Sequence, residues 1–446
     1  MSDVISWPDE LAERGRAGRS FGGPHDHPAP SCGDENGQTL PLTPRPQLSS
    51  GSDTSSAASS ASGIRLHIHG DLDEVGPQWK AFAENADGTV FQSFEWLAAW
   101  QRHIGRARAT VPVIVLGHDG DGELLFLLPL AIDSTGLVRR LTFLGSQLCD
   151  YNAPLLAPQF ADRISAERFV LAWREIVALL RTAPCFRFDL VDLQKMPEAV
   201  GGQRNPFLDL AVSAHPSGAY VATLGGDWDE FYAAKRSAST RKRERRQFKQ
   251  LAAYGEVRFI DVTGEREIAH TVATLIEQKS RTFARMGVAD LFARRGWREF
   301  YHAIAAEPAI RDRIQVGRLQ VGSDIAATNI GLKFRNCYYL ILSSYAEGEL
   351  ARFGPGRAHL NELLRYAIED GFTRFDFTVG DEPYKRDWAD IEVRLFDYLA
   401  GHTLRGAGAA ALTRAFRRAK RCIKQSPTLW SAFSRARALT ANAVRR

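Results

Sequence analysis

The chain of 446 residues is poor in sulfur and has no long apolar run. Its five cysteines, Cys32, Cys149, Cys185, Cys337 and Cys422, are odd in number, far apart and never paired as CxxC. That spacing argues against a disulfide framework and against a structural zinc site. Histidines are equally scattered: His67 and His69 alternate on one short apolar stretch, with no third ligand in view, so no metal is expected. No run of about 18 apolar residues exists to span a bilayer. Met1 to Leu11 carries Asp and Glu and no apolar centre, unlike a secretory signal. These absences lead to the expectation of a cytoplasmic protein.

Acidic residues are missing from one place only. From Thr403 onward there is no Asp or Glu, and the many Lys and Arg there exceed the net charge of +5 for the whole chain. The body is therefore mildly acidic and the tail basic.

The length exceeds one ordinary core and suggests two folded units with tails. Residues 1–62 are rich in Gly, Pro, Ser and Asp without sustained periodicity, which predicts a disordered leader. A first domain is expected over 63–225, opening on the alternating run Ile64–Ile68. Helices are predicted around Glu74–Asn85, Phe94–His103 and 164–181. Strands are expected at Val111–Gly117 and Leu124–Ile132, divided by the turn signal Asp119-Gly120-Asp121-Gly122, and again at Leu137–Leu144 and Phe186–Val191. Residues 226–254 read as a basic helical connector. Residues 255–402 repeat the order helix, hairpin, strand, helix, strand, and form a second domain. Residues 403–446 read as basic amphipathic helices, with Leu412, Phe416, Ala419 and Ile423 on one face.

The second domain carries the most informative stretch. After a strand at Cys337–Ser343 comes Phe353-Gly354-Pro355-Gly356-Arg357, then a helix with Leu360, Leu363, Leu364, Ala367 and Ile368 at helical spacing. A glycine-rich turn that opens a helix directly after a strand suits an anion such as a pyrophosphate, with Arg357 adding a cation. The plainer reading is a well-made helix with Pro355 in its first turn and Gly371 just past its end. In the preceding strand, Gly331 beside Asn329 and Ile330 marks either a bend or a close approach of backbone to a ligand. A short strand to Phe377 then leads to Asp381, Glu382, Tyr384 and Lys385, a charged loop at a strand end. A carboxylate there suits a general base, because freeing a protonated amine at neutral pH costs about 4 kcal/mol. In the first domain Gln92, Glu95 and Trp96 open a helix with Ser93 at its N-cap, and Asp150 and Tyr151 follow a strand. Lys279 stands on an amphipathic helix and suits either the solvent or a substrate.

The segments FQSFEWLAAW (91–100), CDYNAPL (149–155) and YYLILSSYAEGELARFGPGRAHLNELLRYAIEDGFTRFDFTVGDEPYKRDW (338–388) resemble a known family. They are similar to the Gcn5-related acetyltransferase (GNAT)-like proteins of the CelD/BcsL cellulose-biosynthesis group, bacterial relatives of the FemAB-type peptidoglycan aminoacyltransferases. The resemblance covers roughly residues 64–400. It implies an α/β (α+β) fold of two tandem GNAT-like domains, each a mixed, mostly antiparallel sheet flanked by helices. The implied activity is acyl transfer from acetyl-CoA to an amine or hydroxyl of a small-molecule, glycan or envelope-related acceptor, without an acyl-enzyme. On that model Asn329, Ile330 and Gly331 meet the pantetheine arm, and Gly354, Pro355, Gly356 and Arg357 the pyrophosphate. Asp381, Tyr384 and Lys385 act on the acceptor, while Gln92, Glu95, Trp96, Asp150, Tyr151 and Lys279 contact it. The usual pyrophosphate loop is matched one residue short by Arg352–Gly356. Two other readings therefore stand beside it: an aminoacyl-tRNA-dependent transferase whose helix at Lys235–Lys249 grips RNA, and a non-catalytic accessory protein of exopolysaccharide biosynthesis. The basic tail suits contact with an anionic membrane. DNA is not an expected partner.

Overall fold

The computed structural model describes residues 61–425; the leader and the end of the tail lie outside the described residues. Two sheets dominate. The first is built from β1 (Arg65–His69), β2 (Val111–His118), β3 (Leu124–Asp133), β4 (Arg140–Phe143) and β5 (Leu190–Pro197). Its pairings are antiparallel except for the parallel step from β4 to β5. The second contains β7 (Val257–Asp261), β8 (Ile314–Val321), β9 (Asp324–Phe334), β10 (Cys337–Tyr345) and β11 (Arg374–Val379), again antiparallel until the parallel step from β10 to β11. The same order of pairings in both halves makes the fold a tandem GNAT-like α/β architecture.

The expected boundaries at 225 and 255 do not follow sheet membership. Strand β6 (Ala219–Thr223), before the connector, pairs with β11 in the second sheet, and β12 (Ile391–Val393) adds to its far side. Strand β13 (Leu395–Gly401), near the end, instead pairs with β5 in the first sheet. Each half thus completes the other's sheet. An unpaired central edge would leave a row of open amides and carbonyls, and the exchanged strands close both.

Helices cover the sheets. In the first half these are α1 (Leu72–Asn85), α2 (Phe94–Trp100) and α3 (Ala166–Thr182). The basic connector forms α4 (Trp228–Lys235) and α5 (Ala238–Ala252), each with a side-chain cap, from Asp227 and Ser237. In the second half α6 (Glu265–Met286), α7 (Trp297–Ala306) and α8 (Pro355–Glu369) pack on the sheet. The Trp297, Phe300, Tyr301 and Ile304 face of α7 is buried, and Trp96 of α2 meets Phe300 edge to face at 4.9 Å. One core therefore runs through both halves. A last helix, α9 (Leu404–Gln425), returns to the first sheet, where Arg417 pairs with Asp192 at 2.7 and 2.9 Å. Its inward face uses Gly406 and Ala410, whereas Leu412 points outward, opposite to the face read from spacing. Among the described residues no helix is long and apolar enough to cross a membrane, and no cluster of side chains suits a metal.

Candidate active site

Strands β10 and β11 run in parallel for three residue pairs, Cys337–Arg374, Tyr338–Phe375 and Tyr339–Asp376, and then separate. From Leu340 to Tyr345, β10 keeps a ladder partner only on its β9 side. A bulge opposite Ile330 and Gly331 leaves Ile341 unpaired in register. The result is a wedge with one wall of backbone that has no strand partner on its β11 side, its Leu340 and Ser343 carbonyls accepting from the Thr378 hydroxyl and the Lys279 ammonium.

The floor of the wedge is Asp376. Alternation along β11 sends Phe375 and Phe377 into the core under α8 and Asp376 to the other face. There the Tyr151 hydroxyl donates to both carboxylate oxygens, at 2.9 and 2.8 Å, and the Thr378 amide donates at 2.7 Å. Burial pushes the Asp376 carboxyl up to about 7, although the Thr378 and Tyr151 hydrogen bonds pull the other way; Asp150 nearby adds to the rise. Burial and the Asp376 charge hold the Tyr151 phenol well above its usual range. A carboxylate near neutrality, backed by a neutral phenol, is an arrangement suited to taking a proton.

The first half positions Tyr151 closely. Gln92 donates from Nε2 to the Tyr151 carbonyl at 2.9 Å, while its Oε1 accepts from Thr89. Lys195, in the left-handed region, donates to the Cys149 carbonyl. The Cys149 thiol is pushed up to about 12 by burial, and burial raises Cys337 as well. Neither cysteine next to the site is therefore a thiolate nucleophile.

At the mouth stands Lys279 of α6. Its ammonium donates to the Ser343 carbonyl of β10 at 3.1 Å, and burial lowers its basicity, with Glu382 opposing and Lys385 adding. The Lys385 ammonium donates to the carbonyls of Val379 (2.9 Å) and Thr378 (3.3 Å) and pairs with Glu382 at 3.2 Å. Its three donors are thus directed at protein oxygens, and Lys385 acts by shaping the Gly380 loop.

Several expected roles change. Strand β9 is paired along both edges, with β8 and β10, so Asn329, Ile330 and Gly331 have no backbone to offer a donor. Asn329 lies in a buried network, donating to Gln315 at 2.6 Å and Tyr338 at 2.8 Å and meeting His359 at 2.8 Å. Gly331 is a glycine because a Cβ would overlap the Tyr338 hydroxyl. The Gly-Pro-Gly turn also offers fewer amides than its composition suggests. Gly354 donates to Ala351, Arg357 and Ala358 donate to the Gly354 carbonyl, and Pro355 has no N–H. Only Gly356 remains as a donor within the turn. Arg357 reaches Gln247 at 3.0 Å and lies 3.9 Å from the buried Glu244 of α5.

The trio Asp381, Tyr384 and Lys385 does not form one constellation. Asp381 accepts from Ser217 at 2.9 Å. Tyr384 packs edge-on to Phe377, a residue of the α8 side of the sheet. Trp96 is core, and Glu95 pairs with Lys80 at 3.4 Å. Ser93 precedes α2 without a side-chain cap bond; the capping box belongs instead to Thr89 and Gln92. Asp150, Tyr151, Lys279 and Lys385 do converge on Asp376 and its loop. Asp376 itself had a signal: a lone carboxylate between two phenylalanines on a five-residue alternating run.

A family model falls on the same half of the chain. Residues 238–386, a third of the chain, match the family model described as an acetyltransferase (GNAT) domain. The second half, with its wedge and the α8 turn, is therefore an acyltransferase domain of the GNAT class. No curated protein matches. Solved structures with a similar course include FemX (11% identity, 75% of this chain and 95% of that one, TM-score 0.47). L-PGS from Bacillus licheniformis is similar over 75% of this chain and 95% of its own, at 13% identity and TM-score 0.45. A tandem GNAT protein from the clavulanic acid biosynthesis pathway covers 76% of this chain and 98% of its own, at 14% identity and TM-score 0.41.

Proposed function

We propose that the protein transfers an acyl group, in the first instance acetyl from acetyl-CoA, to an amine or hydroxyl by direct attack within a ternary complex. The observation that supports this most is Asp376, a buried carboxylate raised to about 7 at the point where β10 and β11 part. The acceptor nitrogen or oxygen attacks the thioester carbonyl, forming the new bond to carbon. Its proton passes to the Tyr151 hydroxyl as that hydroxyl gives its own to Asp376. The tetrahedral oxyanion then collapses, the carbon–sulfur bond breaks and the thiolate takes up a proton from solvent, to which Asp376 returns the one it received. The stretch 340–345, without a strand partner on its β11 side, supplies a wall along which a thioester arm can lie, and any amide free there can stabilise developing negative charge. Lys279 adds a cation at the same wall.

The acceptor class follows from the resemblance alone: an envelope- or polysaccharide-related amine or hydroxyl, met in the cytoplasm, with cellulose production as the leading setting. A second reading has its own support. Helix α5 exposes Lys242, Arg243, Arg245, Arg246 and Lys249 beside the α8 turn, and the turn itself retains a single amide donor. Such a surface suits the many phosphates of an aminoacyl-tRNA.

Calorimetric titration with acetyl-CoA and with bulk tRNA decides the donor. Saturable acetyl-CoA binding, retained in Lys242→Glu/Arg243→Glu, supports the first reading. RNA binding that weakens steeply with salt and is lost in that variant supports the second. Absence of both, with no effect of Asp376→Asn on the cellular role, leaves a non-catalytic accessory protein.

A further inference from the structure

Far from the wedge, four arginines surround a cavity of about 280 Å³ on the first half: Arg139 before β4, Arg181 at the end of α3, Arg187 before β5 and Arg405 in the first turn of α9. One carboxylate, Asp189, lies among them, but it is occupied. It accepts from the Arg139 amide at 2.9 Å and from the Thr403 hydroxyl at 2.8 Å, and so ties the start of α9 to the β4–β5 end of the sheet. Arg139 and Arg181 spend one donor each on carbonyls, of Cys185 and His402. Arg187 and Arg405 donate to no described residue. Four guanidinium groups beside a single bridging carboxylate leave a concave surface of strong positive charge.

Two exposed leucines lie close in sequence to residues that line the cavity. Leu137 stands two residues before Arg139 and is 96% exposed; Leu404 stands immediately before Arg405 and is 95% exposed. Two turns along α9, Leu412 is 74% exposed. The helix already uses its other face against β13, through Ala410 and the Arg417 ion pairs. Its outward apolar stripe thus has no partner among the described residues. An arginine cavity whose sequence neighbours include strongly exposed leucines matches an interface in which phosphate lies beside hydrocarbon.

We infer that this face docks on a membrane bearing anionic phospholipid, a headgroup phosphate seated among Arg139, Arg181, Arg187 and Arg405 while Leu137, Leu404 and Leu412 enter the acyl boundary. The phosphate contacts are strong because guanidinium binds phosphate through paired hydrogen bonds. Neither the donor nor the chemistry at Asp376 enters this inference.

The test is cosedimentation of the full chain with vesicles of equal phosphatidylglycerol and phosphatidylcholine, against phosphatidylcholine alone. The expected result is binding to the anionic vesicles only, reduced at least ~tenfold by Arg187→Glu/Arg405→Glu and severalfold by Leu137→Ser/Leu404→Ser. Both pairs are exposed, and circular dichroism confirms that each variant is folded. Equal binding by wild type and the arginine variant overturns the inference, since the basic tail beyond Gln425 would then account for it. Sedimentation unchanged by the leucine pair, or equal on neutral vesicles, overturns it too. Thermal stabilisation by glycerol phosphate without any vesicle binding identifies a soluble phosphorylated ligand instead, and binding to RNA alone identifies a nucleic-acid surface.

Discussion

Replacing Asp376 by Asn should stabilise the protein at neutral pH and abolish its chemistry. The carboxyl rises from an ordinary 3.8 to about 7 on folding. The native state therefore holds a proton that the unfolded chain has already lost over the window between about pH 4 and pH 7. In that window stability falls as pH rises. A shift of roughly three units corresponds to about 4 kcal/mol, fully lost by about pH 8. Asparagine has nearly the same shape, still accepts from Thr378 and Tyr151, and does not ionise. The variant should match wild type near pH 3 and exceed it by up to about 4 kcal/mol at pH 8. Urea unfolding followed by tryptophan fluorescence at several pH values reads this directly. Acyl transfer by the same variant should fall by roughly a hundredfold or more, the usual contribution of a general base. Parallel stability curves for the two proteins would refute the raised carboxyl, and full activity in the variant would refute its role as base.

Other substitutions probe the surrounding structure. Tyr151→Phe removes the proton relay and a hydrogen bond that lowers the Asp376 carboxyl, so acyl transfer should fall by roughly a hundredfold, the acidic limb of the residual pH–rate profile should move to higher pH, and about 2 kcal/mol should be lost in urea unfolding. Gly331→Ala places a methyl against the Tyr338 hydroxyl and should cost about 1–3 kcal/mol by the same measurement. Arg417→Leu leaves Asp192 and Asp397 without their shared cation. Burial pushes the Asp397 carboxyl up, but His215 and Arg417 outweigh it and hold it below the ordinary value. The stability contributed by Arg417, about 3 kcal/mol, should therefore be present above about pH 4 and disappear as pH falls through the depressed value.

Local chemistry made much of the secondary structure readable. The turn at Asp119–Gly122 separates β2 from β3, and the Leu360–Ile368 face of α8 is buried as its spacing requires. Gly371 adopts positive φ just past that helix. Helix α7 is legible too, since Trp297, Phe300, Tyr301 and Ile304 repeat at helical intervals. The supply of amides at Gly354–Gly356 was not legible, because it depends on which neighbouring carbonyls the turn has already engaged. The strand with an unpaired edge is β10 rather than the one that carries Asn329, Ile330 and Gly331. Gly331 stands at a bulge, the bend that its sequence context allows, and the group that crowds it is the Tyr338 side chain.

Sheet membership and the site share one deeper obstacle. Strands β6 and β13 carry ordinary short alternating patterns, and nothing within five or seven residues says which sheet will accept them. Their destinations are set by an edge left open some 150 to 210 residues away in sequence. Tyr151 and Asp376 are likewise separated by 225 residues and meet only once those strands have been exchanged. The exchange gives the contact its physical basis: with each half's outer strand embedded in the other's sheet, relative motion of the halves would break two ladders at once. The phenol can then be held within hydrogen-bonding distance of a carboxylate on the opposite half. A proton-accepting pair built this way belongs to neither repeat alone, which is why reading each repeat for its own constellation found its surroundings and missed its centre.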